Sequence, residues 1–441
     1  MSSEWPLIKL NELCLKITDG AHQSPKSVTT GKPMASVKDL TRFGVDLSNA
    51  RLISEEDFTV LVKQGCKPEV GDVLIAKDGN SALDTVCSVD AELNAVLLSS
   101  VAILRPDKSK ILTSYLKHYL YSVDVIDYLK SNFISGAAIP RVVLKDFKKA
   151  DIRVPPLPEQ EAIASVLEAL DSRIKVLRET NTTLEVIAQA LFKSWFVDFD
   201  PVRAKAEGRQ PEGMDAATAA LFPNSFAESE LGLVPKGWAV KPVGDAVDCL
   251  GGGTPDTKES SYWEPAEHCW TTPKDLSGLQ SPVLLRTERQ LSTLGLAKVS
   301  SGLLPAGTLL LSSRAPIGYL AIAQMPVAVN QGYIAIPPGG ELSPVYMLFW
   351  CRQNMEGIKG RANGSTFMEI SKKAFRPIPV LVPTAEVLDA FANIADPLFE
   401  RLIENERQAQ TLAQLRDTLL PRLISGQLRL PEAEALLENN L

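Results

Sequence analysis

Two stretches of this 441-residue chain each carry a hydrophobic seam longer than one globular core can cover. In the first, Ile163, Leu167, Leu170, Ile174, Leu177, Asn181, Leu184, Ala188, Leu191 and Trp195 follow an alternating 4,3 spacing. That is the heptad pattern that lays one face of a helix along a partner. In the second, Leu388, Phe391, Ala395, Leu398, Leu402, Asn405, Ala409 and Leu412 do the same, and Leu419 and Leu423 continue it less regularly. A helix of about 40 residues is about 60 Å long at 1.5 Å per residue, so each needs a partner along its length. The nearest is the other helix. Each leaves a globular segment at its N-terminal end, and antiparallel pairing carries the chain where it next has to go. Asn181 and Asn405 are polar residues within the seams and are candidates for setting register; the sequence also allows both to face solvent. Pro397 is expected to kink the first turns of the second helix.

The helices belong to a larger repeat. VPPLPEQEAIASVLEALDSRI (154–174) and PVLVPTAEVLDAFANIADPLF (379–399) both set prolines ahead of a helical pattern, and the segments before them also match in order. SVKDL (36–40) corresponds to TPKDL (272–276), and PEVGDVLIAKDG (68–79) to LPAGTLLLSSRAPIG (304–318). SGAAIPRVVLKDF (135–147) corresponds to NGSTFMEISKKAF (363–375). Short β-rich runs punctuated by Gly, Pro and Asp dominate each copy. Helical patterns interrupt them at 113–129 and 343–358, so the class is α+β rather than a doubly wound sheet. The expected organisation is a globular unit over 1–156, a spacer helix over 157–198 and a polar linker over 199–230. A second unit over 231–383, a second helix over 384–426 and a tail over 427–441 complete it. Two repeated α/β-mixed units separated by an antiparallel coiled coil make a pseudo-twofold object.

Charge and motifs narrow the chemistry. The net charge of -7 divides unevenly. Residues 1–156 hold 20 Lys+Arg against 19 Asp+Glu, residues 231–383 hold 14 against 11, and the remaining stretches hold 12 against 23. The acid therefore sits in the helical segments, and the globular units are weakly basic. Six scattered cysteines without a CxxC pair, and three histidines, argue against a zinc site or a disulfide framework and for reduced thiols. No apolar run is long enough to span a membrane, and a cytosolic protein is expected. Phosphate-loop, dinucleotide, nucleophile-elbow and zincin motifs are missing, as is the [DNS]-P-P-[FYW] stretch of base-amine methyltransferases. Pro106-Asp107 followed by Asp146-Phe147-Lys148 approximates a nuclease PD…DxK, but the second copy lacks it.

Two related, divergent units on a rigid spacer suit duplex DNA, whose own pseudosymmetry matches two half-sites divided by a gap. In PPLPEQEAIASVLEALDSRI, LFKSWFVDFDPVRAKAEG, GGGTPDTKESSYWE, WTTPKDLSG and LLSSRAPIGYLAIA, the chain resembles the DNA-specificity subunit of type I restriction-modification enzymes over essentially its whole length. The resemblance implies two target-recognition domains, each reading half of an asymmetric bipartite sequence, with helices that dock two modification subunits. It implies no catalysis and no cofactor in this chain. S-adenosylmethionine for adenine methylation, and ATP and Mg for translocation and cleavage, belong to the modification and restriction subunits. Polar residues recurring at equivalent places are the candidate DNA contacts. They are Lys38 and Asp39 with Lys274 and Asp275, Lys77 and Asp78 with Ser313 and Arg314, and Ser135 and Arg141 with Ser365 and Lys372. Lys and Arg can hold phosphates or guanine edges, and Asp can accept from cytosine amines. Two other readings are a coiled-coil scaffold whose ends bind proteins, and a stand-alone nuclease. A heptad-sized insertion in a helix is expected to lengthen the gap without changing either half-site.

Overall fold

The computed structural model describes residues 5–136, 140–314, 316–364 and 368–433. Two compact units share it: 1–175 with 410–441, and 176–409. The helices are not separate segments, because each is divided between the units. The first long helix runs without a break over Leu157–Phe196 and the second over Ala385–Ile424, 40 residues each. The second helix continues through Pro397, so that proline does not end it.

In unit 1 the strands Val73–Ala76 and Val101–Pro106 pair antiparallel at the middle of a four-stranded sheet, with Cys14–Asp19 and Val86–Ser88 outside them. All four residues of Val73–Ala76 are buried, so the segment reads as a continuous apolar run rather than an alternating one. A second sheet sets Lys32–Ala35 between Arg51–Ile53, antiparallel, and Val96–Leu97, parallel. Unit 2 repeats the second sheet and three strands of the first; its fourth strand, Val283–Leu284, joins Leu320–Ala323 in parallel, at the edge opposite the one that Cys14–Asp19 takes in unit 1. Leu309–Ser312 stands between Leu320–Ala323 and Tyr333–Ile336, and His268–Thr271 stands between Arg289–Leu291, antiparallel, and Ala328–Val329, parallel. One glycine is demanded at the same point in each. A Cβ on Gly20 would lie 2.1 Å from the Leu97 carbonyl oxygen, and one on Gly252 would lie 1.6 Å from that of Val329.

The helical stretches at 113–129 and 343–358 each break in two. Extended backbone at Ser122 separates Thr113–Tyr121 from Val123–Phe133, and Asn354 separates Pro344–Gln353 from Met355–Lys359. The first helix of each pair packs on the central sheet. In both units the last strand before the departing long helix pairs with an early strand, Asp151–Arg153 with Leu7–Lys9 and Pro379–Val382 with Ala239–Pro242. The chain ends of each unit are thereby tied at the point where its helix departs. In unit 1 the fully buried Gln160 fixes the departure. Its Oε1 accepts from the Leu112 backbone N–H at 2.9 Å, and its Nε2 donates to the carbonyls of Lys110 and Pro155.

Within unit 2 the helices run antiparallel, since Phe192 meets Phe391 while Asn181 meets Leu402 and Asn405. Asn181 and Asn405 are buried and face each other. Asn405 Nδ2 donates to Asn181 Oδ1 at 3.0 Å, and Asn181 Nδ2 donates to the Leu402 carbonyl at 3.2 Å. Ile163, Leu167, Leu170, Ile174, Leu177, Trp195, Phe391, Leu402 and Leu412 are buried seam residues. Leu184, Leu191, Leu388 and Leu398 are only partly buried, and Phe192, Val387 and Phe399 take the deeper positions. The shift has a physical cause: here the helices pack against the globular core of unit 2 as well as each other, and the buried face is wider than a heptad seam. The expected linker over 199–230 is also folded. It contains the helices Asp200–Ala206 and Ala216–Leu221 and the strand Phe226–Ser229, which pairs with Gly232–Pro235 just beyond it. Its Phe222 packs edge-on against Trp195, with ring centroids 5.0 Å apart, and also against Trp238. The aromatic residues within this polar stretch carry it into the core.

Replacing Asn181 by Ala leaves the Asn405 amide buried without its partner. The expected loss is about 1–3 kcal/mol in denaturant unfolding, and a loss below about 0.5 kcal/mol would contradict a buried amide pair.

Candidate nucleic-acid interface

The central strand of each unit ends in a loop that meets a second loop from later in the chain. In unit 1 the Val142 N–H donates to the Lys77 carbonyl at 2.9 Å, and the Gly79 N–H to that of Pro140 at 2.9 Å. In unit 2 the Ile370 N–H donates to the Ser313 carbonyl at 3.0 Å. One backbone junction thus stands at corresponding places in both units, and an ion pair crosses each. Asp78 Oδ1 accepts from Arg141 Nε at 3.1 Å. Arg314 Nη1 lies 3.8 Å from Glu369 Oε2. The signs are reversed: unit 1 carries its acid on the strand loop and its base on the later loop, whereas unit 2 carries the base first. The arginines reach solvent, with side chains 63% and 35% exposed.

The other candidates divide by exposure. Lys38, Ser135, Lys274 and Lys372 are exposed. Ser135 lies across a short hairpin from Arg141, Lys274 pairs with Glu288 at 2.8 Å, and Lys372 reaches Gly251. Asp39 and Asp275 do local work instead. Each carboxylate closes a capping box by accepting from the backbone N–H and hydroxyl of Ser36 or Thr272. Asp275 also accepts from the Glu288 N–H. That requirement explains why Asp recurs three residues after Ser or Thr in both segments. Lys77 is buried, with its ammonium 3.1 Å from Asp19 and 3.6 Å from Asp78. Ser313 is buried as well. Ser365 lies outside the described residues. Glu369 and Asp19 escaped the sequence comparison, because a repeat search looks for equal residues and these partners are unequal. Asp107, the acid of the approximate nuclease motif, accepts from the Ser109 N–H and hydroxyl as an ordinary turn residue.

Unit 1 holds a buried ionic cluster where its portions of the two helices meet. Asp171 accepts from Arg42 Nε at 3.0 and 3.1 Å and from Arg416 Nη1 at 2.8 Å, and the Arg42 guanidinium lies 3.6 Å from the Tyr121 ring centroid. Burial works to raise the Asp171 pKa, but the charges of Arg42 and Arg416 outweigh it and hold the carboxyl below its ordinary value. His118 is completely buried, 4.0 Å from Asp171 and outside hydrogen-bonding range. Burial first, then the charge of Lys117, pushes it well below the ordinary histidine value against the pull of Asp171. Burial also raises the thiols of Cys14 and Cys87 to about 12, the opposite of activation. Among the described residues, no group of three or more His, Cys, Asp or Glu is placed to hold a metal ion, and no helix is long and apolar enough to cross a membrane.

Two like units, each carrying a corresponding loop junction and a share of both long helices, make this a two-domain protein built as a repeat. The chain belongs to the type I restriction modification DNA specificity domain family, whose model matches residues 2–186 and again 235–415. It is 27% identical over 389 residues to the Type I restriction enzyme HindI specificity subunit of Haemophilus influenzae, covering 77% of this chain and 83% of that protein. It is 36% identical over 191 residues to the MjaIX specificity subunit of Methanocaldococcus jannaschii, covering 43% and 44% of the two chains. The crystal structure of a type I restriction-modification system S subunit from M. genitalium shares the fold. Its TM-score is 0.54 at 16% identity, over 95% of this chain and 96% of that one.

The His118 environment sets a pH dependence. An unfolded histidine titrates near 6.5, and folded His118 binds its proton only at a lower pH. Stability therefore falls as the pH drops below about 6.5, where the unfolded chain takes up a proton that the folded chain refuses, by at most about 1.4 kcal/mol per pH unit. Denaturant unfolding of His118→Gln between pH 7 and 5 should show a shallower loss than the parent. Equal slopes would contradict a buried neutral His118.

Proposed function

We propose that this chain is the non-catalytic, DNA-reading specificity subunit of a type I restriction-modification assembly in the cytoplasm. Each globular unit reads one half of an asymmetric bipartite site, and the long helices set the gap and dock two modification subunits. The observation that carries the reading is the double match of the family model to two units that share a strand core and carry oppositely ordered charges at a corresponding loop junction. A shared strand core supports like surfaces meeting two half-sites, and unlike side chains on those surfaces support halves of different sequence. Residues 1–156 and 231–383 act as the recognition domains. S-adenosylmethionine, ATP and Mg are held by modification and restriction subunits.

Among the candidate contacts, the exposed Lys38, Ser135, Arg141, Lys274 and Lys372 and the partly exposed Arg314 touch DNA. Asp39, Asp275, Lys77, Asp78 and Ser313 shape the loops that present them. The acidic balance of the helical segments disfavours phosphate contact there and suits protein docking.

Binding of the assembled complex to duplex DNA should weaken steeply with salt, by about 10³–10⁵ between 50 and 200 mM if six to ten phosphates are contacted. A scaffold that binds only proteins would give no such loss. A second outcome concerns the gap. Seven residues inserted at matching points of both helices add about 10 Å, or about three base pairs at 3.4 Å each. The gap in the selected site should grow by that amount while both half-sites stay the same, and an unchanged gap or altered halves would refute the spacer role.

A further inference from the structure

The charge-reversed pair has a use beyond holding two loops together. An exposed ion pair contributes little stability, about 0–1 kcal/mol, and both junctions are already joined by backbone hydrogen bonds. Stability alone gives no reason for an arginine and a carboxylate to face each other there in both units. It gives still less reason for the two to exchange places. Chemistry at the exposed end of the arginine does. In unit 1 the carboxylate engages Nε, the inner edge of the guanidinium, at 3.1 Å, and the side chain is otherwise largely exposed. A guanidinium held along its Nε edge keeps the fork of its two Nη groups aimed outward, and that fork matches O6 and N7 of guanine in the major groove. Unit 2 meets the other end of the guanidinium, and loosely: Arg314 Nη1, one arm of the fork, lies 3.8 Å from Glu369 Oε2, beyond hydrogen-bonding distance, with both side chains partly exposed, so Glu369 restrains the fork by charge rather than by holding the Nε edge.

Resting on the DNA-reading function proposed above, we propose that this junction is a base-reading position in each unit. Arg141 and Arg314 each recognise a guanine, and Asp78 and Glu369 are positioning residues that aim them. The arginine comes from the later loop in unit 1 and from the strand loop in unit 2. The two units therefore bring the same chemistry to the duplex from opposite sides of one junction, and the guanine sits at a different offset in each half-site. Lys77 strengthens the asymmetry. In unit 1 its buried ammonium balances Asp19 and Asp78, leaving Arg141 as the exposed charge, whereas unit 2 has Ser313 there.

The test is selection of a randomised duplex pool by the full chain assembled with modification subunits, followed by sequencing. The parent should enrich a two-part motif with a guanine in each half. Arg141→Gln should lose the guanine preference at one position of one half only, by about 5- to 150-fold, and Arg314→Gln should do so in the other half only. Arg141→Lys, which keeps the charge but not the planar fork, should weaken the preference less than Arg141→Gln while retaining most affinity, and this separates readout from misfolding. Asp78→Asn and Glu369→Gln should blur the same positions less severely. The proposal is overturned if the arginine variants leave the motif intact and weaken all sequences alike, with a salt slope smaller by about 1, as phosphate contacts do. If the parent enriches no sequence at low salt, the DNA-reading function itself fails and takes this inference with it.

Discussion

A 40-residue helix with an apolar stripe cannot stand alone in water, and the need to cover two such stripes constrains the rest of this molecule. Pairing is antiparallel, and polar contacts mark its alignment. In unit 2 Asn181 and Asn405 satisfy each other inside the seam, where a one-turn slip would bury each amide against hydrocarbon. In unit 1 Asp171 binds Arg416 of the other helix and Arg42 of the globular part together. Removing either arginine alone would leave buried charge poorly balanced. Each unit is thus completed by a portion of both helices, which is why the compact units do not end where the strands end.

Much of this was legible in the sequence, and the parts that were not have definable causes. Heptad spacing located both helices because it is a long, repeated signal. The order of matching segments located the duplication because backbone demands persist where side chains drift. Gly20 and Gly252 meet a carbonyl oxygen in the same way, and SVKDL and TPKDL close the same capping box. Depth was harder to read. Phe192, Val387 and Phe399 are buried where the heptad expected Leu191, Leu388 and Leu398, since the globular core adds a second direction of burial. The stretch 199–230 reads as a linker by composition, yet Phe222 and its neighbours fold it.

Recurrence of polar residues drew attention to suitable loops but could not separate residues that present a surface from residues that build it. Asp39 and Asp275 recur because a turn needs them. Arg141 and Glu369 stand opposite each other in the matched segments 135–147 and 363–375 but differ in sign, so a comparison that looks for recurring residues passes over them. The backbone hydrogen bonds of Val142 and Ile370 put them in register. Persistent architecture with exchanged chemistry is what a protein needs if it reads two unlike sequences with one fold.

The central claim is that the two units read two different half-sites across a constant gap. Genome-wide mapping of methylated adenines, in cells with and without this gene, tests it most directly. The account predicts one motif lost on deletion, composed of two unequal specified halves separated by a fixed number of unspecified base pairs. Loss of no motif, or loss of a single uninterrupted one, would contradict it.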